Sequence, residues 1–148
     1  MSTDHHKSLV QRFYDELWNH GEPQIADQLF SATYVRHDLR PGIAPTGPEG
    51  QKQIALLFRA AFPDTHLQVD FMVADGEFVV ARWTIHGTHR GKWGAVEPTG
   101  RSVEFCGVNI FCFANDKVVE LWNHRDDFGL IQQASAPVYA GQPAKPVV

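Results

Sequence analysis

Cysteine is scarce in this chain: only Cys106 and Cys112 occur in 148 residues. They fall six positions apart in one expected strand, which at about 3.3 Å per residue separates them by roughly 20 Å, too far for a disulfide. A disulfide-stapled fold is therefore excluded, and the two thiols are expected to stay reduced and to pack as small apolar groups. Basic clusters are missing too. A net charge of -4 with no run of Lys or Arg argues against nucleic acid as a partner. No apolar run approaches the roughly 18 residues that a membrane span requires, and Met1 to Ser8 is polar, unlike a secretory leader. A cytoplasmic protein with no membrane partner is the expectation. Nor is there a Ser/His/Asp order, a phosphate-binding glycine loop or a reactive cysteine context.

What the chain does contain is apolar periodicity. A hydrophobic fraction of 43% with 20% charged residues is ordinary for a globular protein. The length suits one domain, here placed at residues 1–134, followed by a proline-containing extended tail at 135–148. Leu9, Val10, Phe13, Tyr14, Leu17 and Trp18 recur at helical spacing and stop at His20-Gly21. His5-His6 precedes them in an end expected to fray. A second helix is expected near Pro23, presenting Ile25, Ala26, Leu29 and Phe30, and Tyr34 to His37 reads as extended. Asp38 to Gly47 reads as a loop, and Pro48 opens a third helix that ends before Pro63.

After His66 the period changes to two. Leu67/Val69/Phe71/Val73, a turn at Asp75-Gly76, Phe78 to Thr88, Arg101 to Phe113 and Val118 to Arg125 describe a largely antiparallel sheet. Phe128 to Gln133 is expected as a last helix, capped by Asp126 or Asp127. Three helices followed by a meander give an α+β domain with the helices on one face of a curved sheet. In Arg101 to Phe113 both parities are apolar. The parity of Cys106, Val108, Ile110 and Cys112, with Trp83 and Trp122, therefore implies a homodimer formed through the sheet.

Asn109 and Asn123 each share a face with apolar neighbours. A three-residue hairpin loop at Asn115-Asp116 would pair Phe113 with Lys117 and place Asn123 opposite Gly107, diagonal to Asn109, leaving a gap before two amides. A two-residue loop would instead place Asn109 opposite Trp122. With the first register preferred, Asn109, Asn123 and Gly107 should line a cavity of roughly 300–1,000 Å³. The alternative is a pair of structural amides bonded to backbone or water. Arg82 and Tyr14 complete the candidate substrate-binding set. Arg82, Thr84 and His86 share one parity and could offer a cation, a hydroxyl and an imidazole, or simply face solvent. His37 is a candidate proton-transfer group at the mouth of the helical layer, or a surface imidazole. Asp126 is a candidate base, or a helix cap. Odd spacing sends His86 and His89 to opposite faces, so no metal site is expected.

Trp18-Asn19-x-Gly21, Tyr34-x-x-His37, Gly87-Thr88-His89-x-Gly91, Pro98-Thr99-Gly100 and Asp126-x-x-Gly129-Leu130-x-x-Gln133 resemble the SnoaL-like polyketide cyclases, a branch of the NTF2-like superfamily. The resemblance covers most of the chain. It implies a cone-shaped α+β barrel with a deep pocket, usually a homodimer or larger assembly, and cofactor-free aldol ring closure of an aromatic polyketide ester. It also implies that the acid/base Asp of those cyclases falls at Asn123 and their His at Asn109. An amide cannot accept a carbon acid's proton, so the base would be another group such as Asp126, His37 or His86. The leading expectation is a cofactor-independent enzyme acting on a hydrophobic carbonyl compound, with the two asparagines orienting its oxygens. The alternatives are a non-catalytic binding protein, and an isomerase, dehydratase or epoxide hydrolase on the same fold.

Overall fold

The computed structural model describes residues 2–38 and 47–135. The expected loop between Asp38 and Gly47 falls outside them apart from those two end residues, and the expected tail apart from Ser135. The chain runs α1 (Thr3–Arg12), a π-helical segment (Phe13–Asn19), α2 (Ile25–Leu29), β1 (Phe30–Asp38), α3 (Gly47–Ala61), β2 (His66–Asp75), β3 (Phe78–Thr88), β4 (Ser102–Ala114), β5 (Lys117–Arg125) and α4 (Asp127–Ser135).

Helix α1 starts earlier than its apolar stripe. Ser2 accepts a hydrogen bond from the His5 amide at 3.1 Å, satisfying a donor that the first turn would leave open. His5-His6 is thus helical rather than frayed. His6 is buried, stacks on Phe113 with ring centroids 4.3 Å apart, and shares a 3.1 Å hydrogen bond with the Asn115 carbonyl. Beyond Arg12 the helix widens into π geometry, which occurs mostly as short insertions near functional positions. This stretch buries Phe13, Tyr14, Leu17 and Trp18.

The five strands form an open mixed sheet in the order β1-β5-β4-β3-β2. Three neighbouring pairs are antiparallel, and β1 runs parallel to β5. The fold is α+β as expected, but the sheet does not close into a barrel. The β2–β3 turn is Gly76-Glu77, one residue later than expected, with Gly76 at φ +59. Its inner face meets the helices over Phe13, Tyr34, Phe58, Phe62, Phe111 and Leu121, all buried. Burial of such side chains stabilises by about 1.5–3 kcal/mol each. The outer face leaves Phe71 at 58%, Val73 at 55% and Phe78 at 46% exposure, beside half-buried Val108, Ile110, Cys112 and Trp122.

The hairpin between β4 and β5 departs from both expected registers. Asn115 takes a positive φ of 56 and closes a two-residue turn, so Ala114 pairs with Lys117. A bulge then absorbs Val119: Phe113 faces Val118 while Cys112 faces Glu120. Asn109 therefore lies directly opposite Asn123, and Gly107 opposite Arg125. No helix among the described residues is long and apolar enough to cross a membrane.

Candidate functional site

The inner face of the sheet carries a short polar row. Ala81, Asn109 and Asn123 are successive register partners across β3, β4 and β5, and β1 continues the row with the backbone of Asp38 against Asn123. Directly opposed residues have Cβ atoms about 5 Å apart, close enough for the two amides to bond. Asn123 donates through Nδ2 to Asn109 Oδ1 at 2.5 Å, and Asn109 donates through Nδ2 to the Tyr14 hydroxyl at 2.8 Å. Asn109 and Asn123 are 4% and 5% exposed, and Tyr14 is fully buried.

The direction of these bonds has chemical meaning. Tyr14 Oη accepts from Asn109, so its own proton remains for another acceptor, and among the described residues no donor meets Asn123 Oδ1 at the other end. Burial raises the Tyr14 pKa far above the ordinary phenol value, against smaller opposing contributions from the Asn109 hydrogen bond and the nearby Arg36 charge. The hydroxyl is consequently a neutral donor at any physiological pH.

A second cluster adjoins it through Arg36. Gln51 is buried and its Oε1 accepts from the Tyr34 hydroxyl at 3.2 Å and from Arg36 Nη1 at 3.1 Å. Arg125, two residues beyond Asn123 and on the same face, has a side chain only 3% exposed. It donates to Asp127 Oδ1 at 2.9 Å and lies 5.8 Å from the Trp93 ring centroid. Sequence reasoning missed Arg36, Gln51 and Arg125. A signal existed for two of them: Arg125 has the parity of Asn123, and Gln51 takes a core position of the stripe that continues with Ile54, Ala55 and Phe58.

Gly107 is on the inner face, but the space before it is filled. Trp83, expected at an interface, is 2% exposed on the inner face, and its indole covers Gly107. Shifting Asn123 by two residues along β4 and turning Trp83 inward together replace the expected gap with an aromatic wall.

The other candidates lie elsewhere. Arg82 is on the outer face, where Asp70 Oδ2 accepts from its Nη1 at 2.5 Å and from Thr84 Oγ1 at 2.8 Å. The parity of Val79, Ala81, Trp83 and Ile85 is the buried one, so Arg82, Thr84 and His86 face outward together. His86 sits 3.8 Å from Glu104 and lines a surface groove of about 340 Å³ with Asp64 and His66. His37 is on the outer face rather than at the mouth of the helical layer: it bonds Glu120 at 2.8 Å and stacks on Trp122 at 5.0 Å. Asp126 Oδ1 accepts from the Gly129 amide at 2.9 Å, which makes it the cap of α4. A larger groove, about 590 Å³, lies near Phe30, Lys117 and Val119, also away from the amide pair.

Comparison with known proteins agrees with this architecture. Among curated proteins none matches the sequence significantly. A solved structure from Jannaschia sp. CCS1, provisionally assigned to the SnoaL-like polyketide cyclases, superposes with a TM-score of 0.82 at 21% identity, covering 92% of this chain and 95% of that one. TsrD from Streptomyces laurentii gives 0.83 at 23% identity, with coverage of 93% and 99%. A SnoaL-like polyketide cyclase from Agrobacterium tumefaciens gives 0.73 at 21%, with coverage of 90% and 98%. At these identities the likeness establishes the fold. The sequence profile of the SnoaL-like polyketide cyclases matches residues 8–134, most of the chain and every element that builds the polar row, and the chain accordingly belongs to that family.

Proposed function

We propose that the chain binds a hydrophobic carbonyl compound against Tyr14, Asn109 and Asn123 and promotes enolate chemistry on it without a cofactor, with ring closure of a polyketide-like ester as the leading case. The observation that carries this reading is the buried hydrogen-bond chain Asn123 to Asn109 to Tyr14, spent internally and open at both ends. In an aldol closure a base removes the proton beside one carbonyl, the electron pair moves onto that oxygen, and the carbon then attacks a second carbonyl, whose oxygen takes up a proton. A neutral phenol polarised by two amides is suited to the oxygen that gains charge, and one preorganised donor of this kind supplies roughly 3–4 kcal/mol of stabilisation.

One observation favours a second reading, a binding protein that has kept the pocket chemistry without turnover. Asp126 is committed to a helix cap, and His37 and His86 face outward, so none of the three candidate bases touches the amide pair. Ethyl benzoylacetate, an aromatic β-keto ester, is a suitable probe for both. Calorimetric binding weakened by Tyr14→Phe supports the site, and absence of binding to the native protein overturns it. Turnover of a tethered diketone ester decides between enzyme and binder, and Asn123→Asp with Asn109→His is expected to create or raise cyclase activity.

The outer face supports the assembly part of the reading. Phe71, Val73 and Phe78 are exposed there beside half-buried Trp122, and a second copy of the chain packed across the sheet is the proposed cover.

A further inference from the structure

The inner face holds a donor that the Tyr14 chain does not use. Trp83 is 2% exposed, and its Nε1 is buried without a hydrogen-bond partner among the described residues. Its ring position is closely constrained. Gly107 is its register partner, and a Cβ there would lie 2.7 Å from the indole Cη2, so the ring occupies space that only glycine leaves open. Phe105 meets the indole edge to face at 5.8 Å. One position along the same face, Ala81 and Asn109 form the next cross-strand pair, which makes Trp83 a diagonal neighbour of Asn109. Alanine at that step leaves little side chain between the indole and the amides.

A buried N–H with no acceptor costs free energy that a ring lacking the nitrogen would not. An aromatic wall alone would be served by phenylalanine, and buried tryptophans usually find a partner for the N–H. We infer that Trp83 is a substrate-positioning residue whose Nε1–H donates to a ligand oxygen, so that with the Tyr14 hydroxyl the interior offers two neutral donors to a ligand carrying two oxygen acceptors, such as a β-keto ester or a diketone. The inference rests on the reading of the interior as a ligand site.

Trp83→Phe separates the roles, because it keeps an aromatic ring and removes only the nitrogen and the second ring. Ethyl benzoylacetate is titrated calorimetrically into the native protein, Trp83→Phe and Tyr14→Phe, and the ligand-free proteins are melted. Loss of one neutral hydrogen bond is expected to weaken binding to Trp83→Phe about five- to tenfold, with an unligated melt no lower than native by more than the change in ring size explains. In the native protein labelled with ¹⁵N-tryptophan, one indole N–H resonance, absent from Trp83→Phe, should move downfield as the ester is added. If Tyr14→Phe weakens binding while Trp83→Phe binds like the native protein, the Trp83 inference fails and the interior site stands. If the native protein does not bind the ester, or both variants bind it equally well, the interior reading fails and takes this inference with it. An indole resonance already shifted downfield and unmoved by the ester would mean that an internal partner or bound water satisfies the N–H, which also overturns the proposal.

Discussion

A methyl group at Gly107 would meet the indole Cη2 of Trp83 and the carbonyl oxygen of His124, each at 2.7 Å. Neither neighbour yields cheaply, since one is a packed ring and the other is backbone. Gly107→Ala is therefore expected to destabilise by about 1–3 kcal/mol through overpacking, measured as a lowered midpoint in urea with an unchanged slope. Tyr14 offers a second test at this scale. Its folded pKa is raised by burial, so the ionised form is disfavoured in the native state and favoured on unfolding. The associated stability is fully present below the unfolded value of about 10 and is lost as pH rises above it. Tyr14→Phe should flatten the alkaline limb of the stability curve, while lowering stability near neutrality by about 1–3 kcal/mol because Asn109 Nδ2 loses its acceptor.

At the scale of elements, helix α4 depends on its first turn. Asp126 caps it through Gly129, and Gln133 near its end exchanges two hydrogen bonds with the backbone of Glu104, at 2.8 and 2.7 Å. Asp126→Ala should cost about 1 kcal/mol in a thermal or urea melt, whereas Asp126→Asn should cost little because asparagine caps as well. If Asp126→Asn abolished turnover with an unchanged melt, Asp126 would have a chemical role after all. The elements themselves were mostly legible from period and punctuation: α3 from Pro48 and its stripe, β3 to β5 from alternation, α4 from its acidic cap. The register between β4 and β5 was not, because a bulge is a property of two strands in contact. Nothing in the run Lys117-Val118-Val119-Glu120 marks which residue the ladder skips. The parity argument that put Asn109 and Asn123 on one inner face holds regardless, since the actual register differs from the preferred one by an even number. Trp83 was misplaced for another reason. Its partner at an interface and its partner in the core would both be apolar, and only the space at Gly107 distinguishes them. His37 shows the same limit, since the parallel pairing that brings β1 beside β5 joins residues over 80 positions apart.

For the whole molecule, the outer face gives the clearest expectation. Trp122, on β5 beside the edge strand, stacks on His37 and lies near Phe78. The native chain should show a dimeric mass by light scattering at micromolar concentration. Trp122→Glu should lower that mass to the monomer's by placing a charge in an apolar contact. A native monomer would remove the dimer from the reading of this protein without touching the interior site. The Val119 bulge carries a different kind of consequence, about which changes in length this fold can survive. Because the ladder already passes over Val119, deleting that one codon would rejoin Phe113–Val118 to Cys112–Glu120 with every later pair intact. Deleting Leu121 instead would turn the rest of β5 over, bringing Trp122 and His124 inside and casting Asn123 and Arg125 out. The interior chemistry is thus protected against loss at one point of the strand and exposed to it two residues further on.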